Sequence, residues 1–595
     1  MLEALPHRQY HAAGWPPGED QAPVPESAQP NRRLHMAGLA LTALAAAGCM
    51  RSGSPTDEWI AQEVAKSVAS SSRPAVREAA PDAPGPRPPV PPAGPAEVRL
   101  TLLEALRLAL AGSHDVQIAG LQPRIAEQDI IVAEAVFDPA AFATSTVGRV
   151  DRPIQSQLDV GAAQRGLLVQ DTWSWQAGLR TKVPTGGALS VYEASDYLST
   201  NSRLILPNPQ DVTRLTVELA HPLLRGAGYD YNTAAIRVAN LNSSVAFQDF
   251  RKGVQDAVAA VVNAYWQLAF DLESVRVSRA SRDLATEVLR REKSRREQGV
   301  SSDLDVSRAE AAVALREADG IRAESQSRDS MDRLKLLMNS RDLDLADETR
   351  LLPVEAPRFF IVAVDRSAAI AAALGRRPDL ERARAAVAVN RIRLDVADRD
   401  RLPKLDATLR YILGGLDADL GGAIENQNFG DRISWNAGLE LEVPLGNRSA
   451  DATRRKRLLE YDQSILELDR LATQVMQEVN ASARAVLLAR EEVEATLQAK
   501  TAAARTVQGE QRRFELGLTT NEELLRAQET LATAERDHLK ALLNFNLGLV
   551  SLARAQGVLL DAQGIEIVEP PSTPDHPRPL GLRLAPPKGE AGKPE

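Results

Sequence analysis

The clearest pattern in the chain is a period of two. Ile433, Trp435, Ala437, Leu439, Leu441 and Val443 alternate with Ser434, Asn436, Gly438, Glu440 and Glu442. Leu405, Ala407, Leu409, Tyr411 and Leu413 alternate with Asp406, Thr408 and Arg410 in the same way. Each run predicts a strand with one apolar and one polar face. Such strands suit a transmembrane barrel, with lipid on one side and water on the other. The same pattern also fits a half-buried sheet in a soluble domain. Elsewhere the period is helical. Val258, Val261, Tyr265, Leu268, Leu272 and Val275 are spaced alternately by three and four, as are Leu524, Ala527, Leu531, Ala534, His538, Ala541 and Phe545. That is a narrow coiled-coil seam. A helix over 234–296 would reach roughly 94 Å at 1.5 Å per residue, far beyond a compact domain.

The body is written twice. At an offset of 264, Ala109-Leu110, Asp115, Val132 and Pro139 meet Ala373-Leu374, Asp379, Val396 and Pro403. At 222, Glu218-Leu219 and Pro222-Leu223 meet Glu440-Leu441 and Pro444-Leu445. At 218, Arg295, Glu297, Gly299, Arg308 and Ala309 meet Arg513, Glu515, Gly517, Arg526 and Ala527. The falling offset means that the first copy carries an insertion. Because Trp175, Val183 and Pro184 also match Trp435, Val443 and Pro444, the insertion falls at 185–222 and is expected to hold an extra strand pair. The expected organisation is an upstream extension and signal over 1–48, a Pro-rich tether over 49–96, and repeat one over 97–340. A connection over 341–360, repeat two over 361–560 and a Pro-rich tail over 561–595 follow.

The run Met36 to Gly48 is apolar but too short to span a bilayer as a helix, and Arg32 and Arg33 precede it. It reads as the core of a secretory signal. It ends in Ala46-Ala47-Gly48-Cys49, which resembles a bacterial lipobox and makes Cys49 the candidate lipid-attachment residue. The alternative is an ordinary cleaved signal with a chance cysteine. The single cysteine excludes an intramolecular disulfide framework. A net charge of −9 without a basic run argues against a nucleic-acid partner. Aromatics make up 4% against 44% hydrophobic residues, which favours close-packed Ala- and Leu-rich helices. The seven histidines show no ligand spacing, so neither a metal site nor a cofactor is expected, and no Ser/His/Asp order or phosphate loop suggests an enzyme.

Several segments together resemble the TolC-like outer-membrane efflux proteins, the outer membrane factors. They are Arg377-Pro378-Asp379-Leu380, Val443-Pro444-Leu445, His221-Pro222-Leu223-Leu224-Arg225-Gly226, and Arg513-Phe514-Glu515-Leu516-Gly517 followed by Ala527-Gln528. Their order and duplication cover about 97–560. The resemblance implies a fold that is mainly α with a β-barrel portion, built as a homotrimer in which three chains close one barrel and one helical tube. It implies an outer-membrane channel subunit of a tripartite efflux or type I secretion system. The tube would stand in the periplasm, a lipid would anchor the chain, and a periplasmic adaptor (membrane fusion) protein and an inner-membrane pump would be the partners. The 185–222 insertion departs from the family's plan of four strands per chain.

In a conduit of that kind Asp406, Arg410, Glu440, Glu442, Arg214 and Glu218 are the candidate lumen residues. Trp173, Trp175, Trp435 and Tyr411 fit the outer face or an aromatic girdle. The resemblance places gate residues at the hairpin turns, which here are Gly299, Asp303, Asp305 and Arg308 in copy one and Gly517, Glu522, Glu523 and Arg526 in copy two. Ser302 to Asp305 and Thr520 to Glu523 also stand at capping-box spacing, which gives these carboxylates a local role. His538 reads as a packed seam residue, and Asp417 and Asp419 as part of a flexible turn. A periplasmic coiled-coil adaptor or scaffold lipoprotein is the rival reading, since it would share the signal, the lipid and the heptads.

Overall fold

The structure is a computed structural model that describes residues 97–153, 167–340, 343, 345, 349–427, 432–568 and 580–584. Cys49, the signal and the tether lie outside the described residues. The wall of the molecule starts from two helices, α1 (Leu102–Gly112) and α2 (His114–Glu134). Strands β2 (Ala140–Pro153), β3 (Leu167–Lys182), β4 (Ala188–Thr200) and β5 (Gln210–Pro222) follow. A hairpin of α3 (Ala234–Glu297) and α4 (Asp303–Met338) completes the first half. The second half repeats the order with α5 (Arg366–Arg376), α6 (Pro378–Arg399), β7 (Lys404–Asp417), β8 (Ile433–Glu442), α7 (Arg448–Glu515) and α8 (Asn521–Ala555). Helix α3 has 64 residues and α7 has 68. At 1.5 Å per residue these are roughly 96 and 102 Å long.

The long strands form one antiparallel sheet in the order β2-β3-β4-β5-β7-β8. The chain thus contributes six strands, two more than the four-strand plan. Four of them are continuous with helices: β2 follows α2, β5 leads to α3, β7 follows α6 and β8 leads to α7. The helices at the same level pack in the matching order α2-α3-α6-α7. Sheet and helical layer therefore end on the same two sides, at β2 and α2 and at β8 and α7.

Midway along the helices two short strands, β1 (Glu97–Leu100) and β6 (Arg350–Pro353), pair in parallel. Two more, β9 (Ile565–Val568) and β10 (Gly581–Leu584), pair antiparallel. The Pro-rich tail over 561–595 thus supplies both of the last strands. The main core gathers here around Phe250, Val254, Val258, Tyr265 and Leu268 of α3, with Leu106, Leu334, Met338, Leu351 and Leu559 against them. The Tyr265 hydroxyl donates to the Leu100 carbonyl at 3.0 Å and to the Glu355 carboxylate, tying the α3 seam to β1. Of the predicted seams, Val258, Val261, Tyr265, Leu268 and Val275 are buried, as are Leu524, Ala527, His538, Ala541 and Phe545.

The loop after β7 is folded, where a flexible turn was expected. Asp419 accepts from the Gly422 N–H at 3.0 Å and caps a six-residue helix, Leu420–Glu425. That helix lies on the sheet, where the Thr213 hydroxyl donates to the Ala423 carbonyl at 3.1 Å. A Cβ at Gly415 would fall 1.9 Å from the same carbonyl, so only glycine admits this approach.

Candidate functional site: a two-faced sheet and a pair of hairpin tips

Across every pair of the sheet, even-numbered residues stand opposite even-numbered ones. Residues directly opposite share a face. One face therefore carries all six charged residues expected in the lumen: Arg214, Glu218, Asp406, Arg410, Glu440 and Glu442. Glu218 stands opposite Arg410, and the two pair at 2.9 Å. Arg214 pairs with Asp196, and Lys404 bridges Asp406 at 3.3 Å and Glu440 at 3.5 Å. Glu442 stands opposite Lys404 in the register. The other face carries Leu179, Val191, Val217, Tyr411 and Trp435 in a single row, with Leu189, Leu219, Leu409 and Ala437 in the next. Trp173 and Trp175 lie on this apolar face too, and the Trp173 indole donates to Ser145 Oγ at 2.9 Å. At β8 it stands open in the single chain, with Trp435 and Leu439 about 70% exposed, whereas at the loop end the Leu420–Glu425 helix covers it over Thr213 and Gly415 and Gln427 Nε2 donates to Glu193 on the same face at 2.6 Å. Stacked over several strands, such rows make a large apolar surface that water disfavours and lipid accepts.

The far ends of the two hairpins are built alike. At the end of α3 the Val300 N–H donates to the Arg295 carbonyl at 2.9 Å, and at the end of α7 the Leu518 N–H donates to the Arg513 carbonyl at 2.8 Å. Gly299 and Gly517 turn the chain at φ +75° and +73°, the left-handed conformation that ends a helix in this way. The return helices then begin with caps. Asp305 N–H donates to Ser302 Oγ at 3.2 Å, while Ser302 N–H and Oγ donate to the Asp305 carboxylate, a reciprocal capping box. Thr520 Oγ1 accepts from the Glu523 N–H at 3.4 Å, and the Thr519 hydroxyl donates to the Glu523 carboxylate. The Ser302 bonds hold the Asp305 carboxyl below its ordinary range.

The remaining predicted tip residues form links. Arg308 pairs with Glu522 at 3.2 Å, joining α4 to α8, and Asp303 pairs with Arg296 across the first turn at 3.2 Å. Asn521 Nδ2 donates to the Asp305 carbonyl at 3.0 Å. Arg526 is exposed on α8. The structure also brings in residues that sequence reasoning gave no role. Phe514 packs with Ala285, Val288, Leu524 and Leu525, and the Arg295 guanidinium lies over its ring at 5.3 Å. Arg316, buried in the Ala-rich face of α4, donates to Ser281 Oγ and to the Leu525 carbonyl, both at 3.0 Å. Burial pushes the Arg316 pKa down. A lone arginine among alanines on a coiled-coil face was the available signal. Among the described residues, no group of three or more His, Cys, Asp or Glu is placed to hold a metal.

A sheet with one charged and one apolar face, continuous with helices of such length, defines a channel subunit of the outer membrane. A family model described as outer membrane efflux protein matches residues 215–340 and 369–558, and the chain belongs to that family. It is an efflux channel subunit, of a family of channel proteins and not of enzymes. Comparison with curated protein sequences gave no match. Among solved structures, the CmeC outer membrane channel of Campylobacter jejuni is similar with a TM-score of 0.57 and 14% identity, over 77% of this chain and 86% of that one. VceC of Vibrio cholerae is similar at 0.56 and 17%, over 77% and 96%. The MtrE outer membrane channel of Neisseria gonorrhoeae in its open state is similar at 0.55 and 17%, over 77% and 89%. At these identities the likeness concerns the fold.

Proposed function

We propose that three copies of the chain close into one passive conduit, held in the outer membrane by its barrel and by a lipid on Cys49. The observation that carries this reading is the coincidence of open edges. β2 and β8 each have one unpaired side within the chain, and the helices beneath them, α2 and α7, bear exposed apolar residues. On α2 these are Ile118, Leu121, Ile125 and Val132; on α7 they are Leu459 and Leu466. An open strand edge and an apolar helix stripe on each flank need the same partner, and a closed ring of identical chains supplies it. The charged sheet face then lines a wet lumen and the apolar face meets lipid.

In this reading the tips are the periplasmic end, where an adaptor and an inner-membrane pump dock, and the pump selects the cargo. The Arg308–Glu522 pair holds the two hairpins of one chain together there. Three-fold symmetry brings three copies of Glu523 towards one axis, where like charges attract cations. Asp305→Ala or Glu523→Ala is expected to alter conductance or cation preference in planar bilayers; unchanged traces for both would remove the gating role and leave capping alone.

The decisive experiment is fractionation. Heat-modifiable trimers in outer-membrane fractions are expected, with palmitate label lost in Cys49→Ser. Recovery as a monomer, or with the inner membrane, would favour the adaptor reading.

A further inference from the structure

We infer that the joint between copies is keyed by charge, with Asp129 of one chain set against Arg455 of the next. The pair fixes the register of the two helices and selects a second copy of this chain as the neighbour. This rests on the trimer proposed above. The duplication supplies the template. The helices next to the sheet lie in the order α2-α3-α6-α7, and α2 and α3 correspond in sequence to α6 and α7. The joint α3–α6 therefore links one repeat to the next inside the chain, and the junction of α7 with a neighbour's α2 is the same joint made between chains. Inside the chain Arg382 of α6 pairs with Asp249 of α3 at 3.3 Å. Carried over by the repeat offsets, 264 for α6 and 222 or 218 for α3, these positions become Ile118 and residue 471 or 467. The two helices run antiparallel, α2 towards the sheet and α7 away from it. Eleven residues nearer the sheet than Ile118, Asp129 stands level with residues 456–460, within about one turn of Arg455.

The side chains suit that geometry. On α2, Ile118, Gln122, Ile125, Asp129 and Val132 follow one another at spacings of four and three, and all are exposed. On α7, Arg448, Ala452, Arg455, Leu459, Asp462 and Leu466 do the same, and all are exposed too. Each row is a coiled-coil seam without a partner in the chain. Each lies opposite the packed side of its helix, where Val116, Gly120 and Pro123 of α2 and Ser464 and Val475 of α7 are buried. Isoleucine and valine of one row face leucine of the other, and Gln122 brings an amide donor within a turn of Asp462. The remaining charge of the α2 row is Asp129. Among the described residues it has no ion-pair or hydrogen-bond partner, and Arg455 holds only the Asp451 carbonyl, at 3.3 Å. The pair is also peculiar to this joint. At the offset of 264 the counterpart of Asp129 is Arg393, so α6 offered to the same face of α7 would set like charges together. Charge thus tells α2 from α6.

Exchanging the charges tests the key. Full-length chains carrying Asp129→Arg, Arg455→Asp or both are compared in membrane fractions by the trimer that survives mild heating. Each single change sets like charges across all three junctions and is expected to lower that trimer by about fivefold or more. The double change restores the pair with its ends exchanged and is expected to return the trimer to the wild-type level. Single changes without effect, or a double change no better than the singles, overturn the inference. A wild type that forms no trimer overturns the reading beneath it and this inference with it. If the single variants do not fold, Asp129→Cys together with Arg455→Cys in one chain decides the matter. Since α2 and α7 lie on opposite sides of the chain, a short bis-maleimide can join them only between copies. A ladder of covalent dimers and trimers is expected, and no ladder overturns the inference.

Discussion

Gly517 and Gly299 are the residues at which a single methyl is most diagnostic. A Cβ at either would meet nothing within 4 Å, so any cost of substitution is the left-handed backbone itself. Gly517→Ala is expected to destabilise the tip by about 1–2 kcal/mol, read as faster amide exchange over the turn with the rest of α7 unchanged. Asp305 gives the tip its pH dependence. Its charged form is favoured by the Ser302 bonds, so the folded carboxyl lies below its ordinary 3.8. The stability it contributes is present above that value and disappears as pH falls through the lowered one. Tip exchange is expected to accelerate below about pH 4 in the wild type and to lose that step in Asp305→Asn. The caps were legible from spacing alone, because Ser-x-x-Asp and Thr-x-x-Glu before an apolar run carry their mechanism locally. The partners of Arg308 and Arg316 were not, since Glu522 and Leu525 are more than 200 residues away and only the packing of two hairpins brings them close.

At the scale of elements, the first hairpin coheres through a seam of Val, Leu and Tyr265 and the second through one richer in alanine, and the tips add a small core centred on Phe514. Phe514→Ala removes a ring that is 5% exposed and the surface on which Arg295 rests. It is expected to cost about 3–5 kcal/mol in a small core whose other members are Ala285, Val288, Leu524 and Leu525, seen as selective melting or proteolysis at the tips. Strand and helix identities were readable because each keeps one period over many residues. The cap over Gly415 was not, since a loop of Gly and Asp has no period and its helix is six residues long. The short strands midway along the helices escaped for the same reason. Four residues carry too little pattern, and the β1–β6 pair joins segments about 250 residues apart. The repeat offsets pointed to extra strands in the first copy, but which neighbours they would take depends on register, which no local signal contains.

For the whole molecule, assembly depends on α2 and α7. Placing a carboxylate in the exposed stripe, as in Ile125→Glu or Leu466→Glu, removes apolar contact and buries an unpaired charge at the proposed junction. Loss of the trimer band is expected for both, with the helical content of the monomer retained; intact trimers would show that these stripes face something other than a neighbouring copy. The ion pairs of the charged face have a different consequence. Glu218 with Arg410 and Arg214 with Asp196 are neutralised within the wall, so the fields they project are dipolar and fade within a few ångströms, whereas Lys404 stands between Asp406 and Glu440 and leaves a net negative charge there. In the proposed conduit a solute travelling along the axis would meet an electrically quiet surface at the one-to-one pairs and a cation-favouring patch at Lys404, Asp406 and Glu440.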